Sequence, residues 1–171
     1  MRLLALALLC SAALSAQTAD PAPRIMPAGA DQSFAKLRGI TFFYIDVTTS
    51  ETRPEDADLR AEIRDAVELE MRRTNFLPKD FNGLNPETAT PLLAIEVRFD
   101  RGLGRYNADI ILSVRDNATV TRNKEPVLAT TYSQTKKAMG ASDVTLAREI
   151  KGRSRELVVE LIDGIRRSKG L

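Results

Sequence analysis

The side chains that could do chemistry in this chain are carboxylates, hydroxyls and amines, because its 171 residues include no histidine and one cysteine. Without His there is no Ser-His-Asp triad, no Cys-His pair, no histidine zinc site and no imidazole base. An enzyme here would have to work with Asp, Glu, Lys, Tyr or Ser, and Asp46 and Asp100 are the best-placed acids. Asp46 closes an apolar run, where loss of water would raise its pKa; the plainer reading is a residue that ends a strand. Gly102-Leu103-Gly104 opens like a phosphate loop, but Asn107 stands at the third glycine position. The segment also joins strand to strand, so no helix N-terminus is there to meet a phosphate. It reads as a hairpin turn. These residue types assign no catalytic residue, no cofactor and no metal ligand.

Binding chemistry is better represented. Thr130-Thr-Tyr-Ser-Gln-Thr135 ends a β-prone run in hydroxyl and amide side chains, and Lys136 and Lys137 follow. As a sheet edge it would offer unpaired backbone groups to a strand of another chain, with the lysines steering an acidic partner. Thr130, Thr131, Tyr132, Gln134, Lys136 and Lys137 are therefore the candidate partner-binding residues. The alternative is a solvated edge whose hydroxyls face water. Arg98, Arg101 and Arg105 flank the Gly102–Gly104 turn. If they share one end of the sheet with the two lysines, they form a basic patch for anionic lipid, polysaccharide or an acidic protein. The plainer role of such charges is to keep strand ends soluble. The formal net charge is only +2, and there is no Trp. Neither a strongly basic nucleic-acid surface nor an aromatic stacking platform is indicated.

The elements that must position these residues follow from hydrophobic periodicity. Gly39–Val47 carries apolar residues on both faces, as in a strand that is covered on both sides or lies centrally in a sheet. The spacing of Leu59, Ile63, Ala66, Val67 and Met71 predicts a helix from Asp56 to Asn75, with Arg64, Glu68 and Arg72 as a solvated ladder. A turn-rich passage, Pro78 to Pro86, has room for one short extra strand. Leu93, Ile95, Val97 and Phe99 alternate inward along a second strand. Ala108, Ile110, Leu112 and Val114 do so along a third, and Val127 to Gln134 makes a fourth. Ser142 or Thr145 caps a last helix that runs to about Ser168, with Leu146, Ile150, Leu157, Val158, Leu161, Ile162 and Ile165 as its stripe. The order β-α-β-β-β-α predicts an α+β two-layer sandwich, two helices on one face of a four-stranded mixed sheet.

The ends of the chain set its organisation. Residues 1–16 place Arg2 before a short Leu/Ala run and small residues at Ser11–Ala16, the order of a secretory signal peptide. That run is shorter than the roughly 20 apolar residues a spanning helix needs. Cys10 raises the alternative of a lipid anchor, but Leu9 stands where a lipoprotein signal has a small residue. Cleavage after Ala16 gives a soluble, lipid-free product. Residues 17–33 hold Pro21, Pro23 and Pro27 among Ala and Gly and read as a flexible leader. Residues 34–171 form one domain, and the loss of Cys10 with the signal leaves it without disulfides. Asn117-Ala118-Thr119 fits a glycosylation sequon, which has meaning only in a eukaryotic secretory pathway.

With the strand, the helix and the stretch Leu59–Phe76 in place, the chain resembles small bacterial envelope domains. This group includes the amino-terminal domain of TolB and related periplasmic or outer-membrane lipoprotein domains. In those domains a strand leads into a helix that ends in a small-polar-then-Phe corner, here Thr74-Asn75-Phe76. A sheet and a closing helix follow. The resemblance carries across no catalytic residue and implies an adaptor or assembly role in the cell envelope. The expectation is an exported, periplasmic or extracellular, non-enzymatic domain that works through contact with an envelope protein. The rival is an exported carboxylate-dependent hydrolase, which would need two acids facing one another across a cleft.

Overall fold

The computed structural model describes residues 32–81, 84–85, 88–102 and 104–168; the signal expected at 1–16, Cys10 included, and residues 17–31 of the leader expected at 17–33 lie outside the described residues, while Gln32 and Ser33 open a short helix instead of ending a leader. The elements are α1 (Gln32–Ala35), β1 (Phe42–Thr49), α2 (Pro54–Arg73), β2 (Leu77–Asp80), β3 (Leu92–Gly102), β4 (Arg105–Thr119), β5 (Pro126–Met139) and α3 (Asp143–Ser168). They build an α+β fold around one mixed sheet in the order β2-β1-β3-β4-β5. β1 runs parallel to both β2 and β3, while β3, β4 and β5 form an antiparallel meander. The sheet has five strands, not the expected four. β2 is the addition. Its side chains form no apolar row and Leu77 is exposed, so only backbone pairing with Phe42–Ile45 marks it as a strand.

Each element owes its place to a short list of causes. α2 starts at Pro54, whose fixed φ suits the first helical position, and carries Glu55 and Asp56 in its first turn and Arg72 and Arg73 in its last. It ends where the Thr74 hydroxyl donates to the carbonyls of Glu70 and Met71 and Asn75 turns left-handed at φ 62°. Phe76 then returns its N–H to the Met71 carbonyl, and its ring stacks 6.0 Å from that of Phe43. α3 starts with a reciprocal cap in which Ser142 Oγ accepts from the Thr145 N–H and Thr145 Oγ1 accepts from the Ser142 N–H. Both helices lay their stripes on one sheet face. Ile63, Val67, Met71, Leu157, Val158 and Leu161 meet Phe43, Ile45, Ile95, Val97, Ile110 and Leu112 there, all essentially without solvent contact. β1 therefore has helices on one side only, and its other face, with Phe42, Tyr44 and Asp46, is half-buried.

The two glycines of α3 have opposite meanings. A Cβ on Gly164 would collide with the Phe34 ring of α1, whereas one on Gly152 would meet nothing within 4 Å. Gly152→Ala should therefore raise stability by up to about 1 kcal/mol through helix propensity alone. Gly164→Ala should lower it by about 1–3 kcal/mol by forcing Phe34 off its seat. Urea unfolding of the two variants beside the parent measures both signs.

Candidate functional site

β5 is an edge strand of 14 residues. It is longer than expected, because it does not stop at Gln134 but carries Lys136 and Lys137 within it to Met139. The six candidate residues divide between its faces. Tyr132, Gln134 and Lys136 lie on the helix side, and Thr130 and Lys137 lie exposed on the open side. Thr131 belongs to neither row. The register passes from Val114↔Tyr132 to Arg115↔Thr130, so Thr131 is the extra residue of a β-bulge, and its hydroxyl donates to the Val114 carbonyl at 3.2 Å.

The helix-side residues are held within the fold. The Tyr132 ring lies 5.0 Å from that of Phe34, and its hydroxyl donates to Gln134 Oε1. Gln134 Nε2 donates in turn to Glu160 of α3 at 2.7 Å. Lys136 Nζ reaches Glu156 at 2.9 Å and Glu160 at 2.6 Å. Burial opposes the charge on Lys136, but its hydrogen bonds to Glu160 and Glu156 outweigh that and hold it above the ordinary lysine range. The same bonds hold both carboxylates below theirs, Glu156 also by Arg153 and Glu160 also by Gln134. The expected pair of steering lysines is thus one. Lys137 is exposed, and Lys136 is neutralised where it stands. Glu156 and Glu160, 20 and 24 residues away in sequence, are the members of this cluster that sequence reasoning missed.

The wider basic patch is likewise matched by acids. Arg98 does share a recess with Lys137, but Asp100 and Asp109 line it as well, and Glu96 takes Arg98 in two hydrogen bonds of 2.7 and 3.1 Å. Arg101 is nearly buried and bridges Glu51 at 2.9 Å and Asp56 at 3.0 Å. Its Nε lies 3.1 Å from Asp143 Oδ1, near enough for attraction but off line for a hydrogen bond. Its guanidinium also sits 3.5 Å from the centre of the Phe99 ring. The end of β3 is thereby tied to the start of α2. Gly102 and Gly104 flank a hairpin turn between β3 and β4, with Gly104 at φ 78°.

On the open face the register lines up Asp46, Ala94, Ser113 and Ser133 across β1, β3, β4 and β5. The small side chains of Ala94 and Ser113 floor a shallow depression of about 350 Å³, rimmed by Asp46, Glu96, Arg98, Arg115 and Thr130. Burial pushes the Asp46 carboxyl above its ordinary range, against the pull of Arg64, Arg115 and the Val47 amide. A carboxyl that binds its proton more tightly when folded lowers stability at neutral pH, and the penalty disappears as pH falls through its folded value. Asp46→Asn should therefore stabilise the domain at pH 7, and the gain should shrink as the buffer enters the carboxylate range; denaturant titrations at stepped pH read both. Asp46 and Asp100 do not share a cleft. The β3 residue paired with Asp46 is Ala94, six positions from Asp100 and so about 20 Å away along the strand. Among the described residues no group of His, Cys, Asp and Glu is arranged to hold a metal ion, and no helix is long and apolar enough to cross a membrane.

The chain matches no protein-family model and no curated protein. Among solved structures, a PelC dodecamer from Paraburkholderia phytofirmans aligns with 75% of this chain and 89% of that chain, at 13% identity and a TM-score of 0.41. A likeness at that score carries no conclusion about this chain.

Proposed function

We propose that this is a non-enzymatic, exported domain of the cell envelope that acts through protein–protein contact, by taking a strand onto β5. The observation that carries the reading is the inequality of the two sheet edges. β2 is an edge of four residues, one of them Pro78, and a short edge interrupted by proline resists strand addition. β5 is an edge of 14 residues with proline only at its first position. Of its two lysines, Lys136 is turned to α3 and matched there, and Lys137 stays exposed. The separation of Asp46 from Asp100 speaks against the two facing carboxylates that the hydrolase reading requires. Export and the absence of lipid rest on residues 1–16 and on Leu9 before Cys10.

Two measurements test the proposal. The intact mass of the protein recovered from envelope fractions is expected to match a start near Gln17; a species that begins at Cys10 with added acyl mass overturns the lipid-free reading. For the edge, Thr131→Pro is a poor probe because Thr131 is bulged. Gln134→Pro and Thr135→Pro are better, since successive N–H groups of a strand point to opposite sides and only one of these two faces away from β4. The variant that keeps its circular dichroism spectrum is expected to lose capture of envelope protein by the purified domain. Unchanged capture by that folded variant removes β5 as the contact.

A further inference from the structure

We propose that the strand β5 takes is the β5 of a second copy of this chain, paired antiparallel about a twofold axis at Thr135. The inference rests on the reading of β5 as the contact edge and names its occupant. The bulge at Thr131 divides the edge, which leaves Tyr132–Met139 as its longest unbroken stretch. In an antiparallel pair, directly opposed side chains share one face of the sheet, so the twofold must pass through a residue rather than between two. An axis at Lys136 or Lys137 sets two lysines head-on, which is unfavourable. An axis at Gln134 places Lys137 against the bulged Thr131.

An axis at Thr135 avoids both conflicts. Thr135 then opposes Thr135, Ser133 opposes Lys137, Gln134 opposes Lys136 and Tyr132 opposes Ala138. Every lysine meets a hydroxyl or an amide, and the unbroken stretch is used from Tyr132 to Ala138. The Gln134–Lys136 pairing also brings the Glu160 carboxylate, already bonded to Gln134, towards the Lys136 of the second copy. An in-register parallel pair would instead set each lysine beside its own counterpart. The sequence of β5 is complementary to itself in one register, and that register yields one sheet continuous through both copies with all helices on the same side.

The test uses the full-length chain with Cys10→Ser and single new cysteines. Thr135→Cys places the two thiols on directly opposed residues, whose Cβ atoms are about 4.5–5.5 Å apart. It is expected to give a disulfide-linked dimer on mild oxidation, since that spacing requires only a small local adjustment. Ser133→Cys alone and Lys137→Cys alone set like thiols four residues out of step, about 13 Å apart, and are expected to stay monomeric. A mixture of the two is expected to cross-link. In sedimentation the parent is expected as a dimer and Thr135→Lys as a monomer with an unchanged circular dichroism spectrum. A parent that is monomeric at every concentration reached, or Ser133→Cys cross-linking as well as Thr135→Cys, overturns the proposal. A monomeric parent whose folded edge-proline variant still loses capture of envelope protein removes the second copy as occupant and leaves the edge reading in place. A parent whose capture survives that proline removes both.

Discussion

Replacing Leu161 with aspartate is expected to unfold the domain or to cost it several kcal/mol, with Lys151→Asp close to neutral beside it. Leu161 has no solvent exposure and belongs to the α3 stripe with Leu157, Val158 and Ile165. A carboxylate there would lie in an apolar core without a partner, one of the few mechanisms that yields effects of that size. Lys151 sits ten residues earlier on the same helix and forms an exposed pair with Glu62 at 2.6 Å. Loss of such a pair changes stability by about 1 kcal/mol or less. Thermal unfolding of the two variants gives the comparison directly. Equal melting temperatures would contradict the phase of α3 against the sheet.

The second large effect is expected at Arg101→Met, at about 3–5 kcal/mol, the range found when one partner of a buried ion pair is removed. Arg101 is 10% exposed and Asp56 2%, so the substitution leaves a carboxylate at the start of α2 with neither water nor a cation. Burial works against the Arg101 charge, but its hydrogen bonds to Asp56 and Glu51 outweigh that and raise its pKa. If the cost comes from the stranded carboxylate rather than from lost packing on Phe99, Asp56→Leu in the Arg101→Met background should recover most of it. A double-mutant cycle in urea measures the coupling. Additive costs would show that the two side chains act independently.

How much of this was legible in the sequence depends on what each element buries. Leu93, Ile95 and Val97, then Ala108, Ile110, Leu112 and Val114, announce their strands because each inward position is apolar and each is buried. The α3 stripe is legible for the same reason. β2 is not, because Leu77-Pro-Lys-Asp80 buries no apolar row and is held by backbone bonds whose partners lie more than 30 positions away. The end of β5 was hidden by Lys136, a charge at an inward position that makes sense only once Glu156 and Glu160 stand over it. Arg101 and Arg98 read as free cations for a related reason: sequence lists charges, while the fold decides which of them are already matched. Asp46 was legible as a carboxylate at an apolar strand; the small floor of Ala94 and Ser113 beside it needed the register of three strands.

The blunt β2 edge has a consequence for growth. A sheet with two receptive edges is a monomer in the sense of polymer chemistry, because each addition regenerates the acceptor and propagation has no natural end. Here, among the described residues, the far side of the sheet closes with four residues and Pro78, so on the proposed addition a molecule that has accepted a strand on β5 would present no second edge of comparable length. Addition is then a terminating event. On the proposed pairing, the chain is expected to form finite pairs rather than fibres even at high concentration.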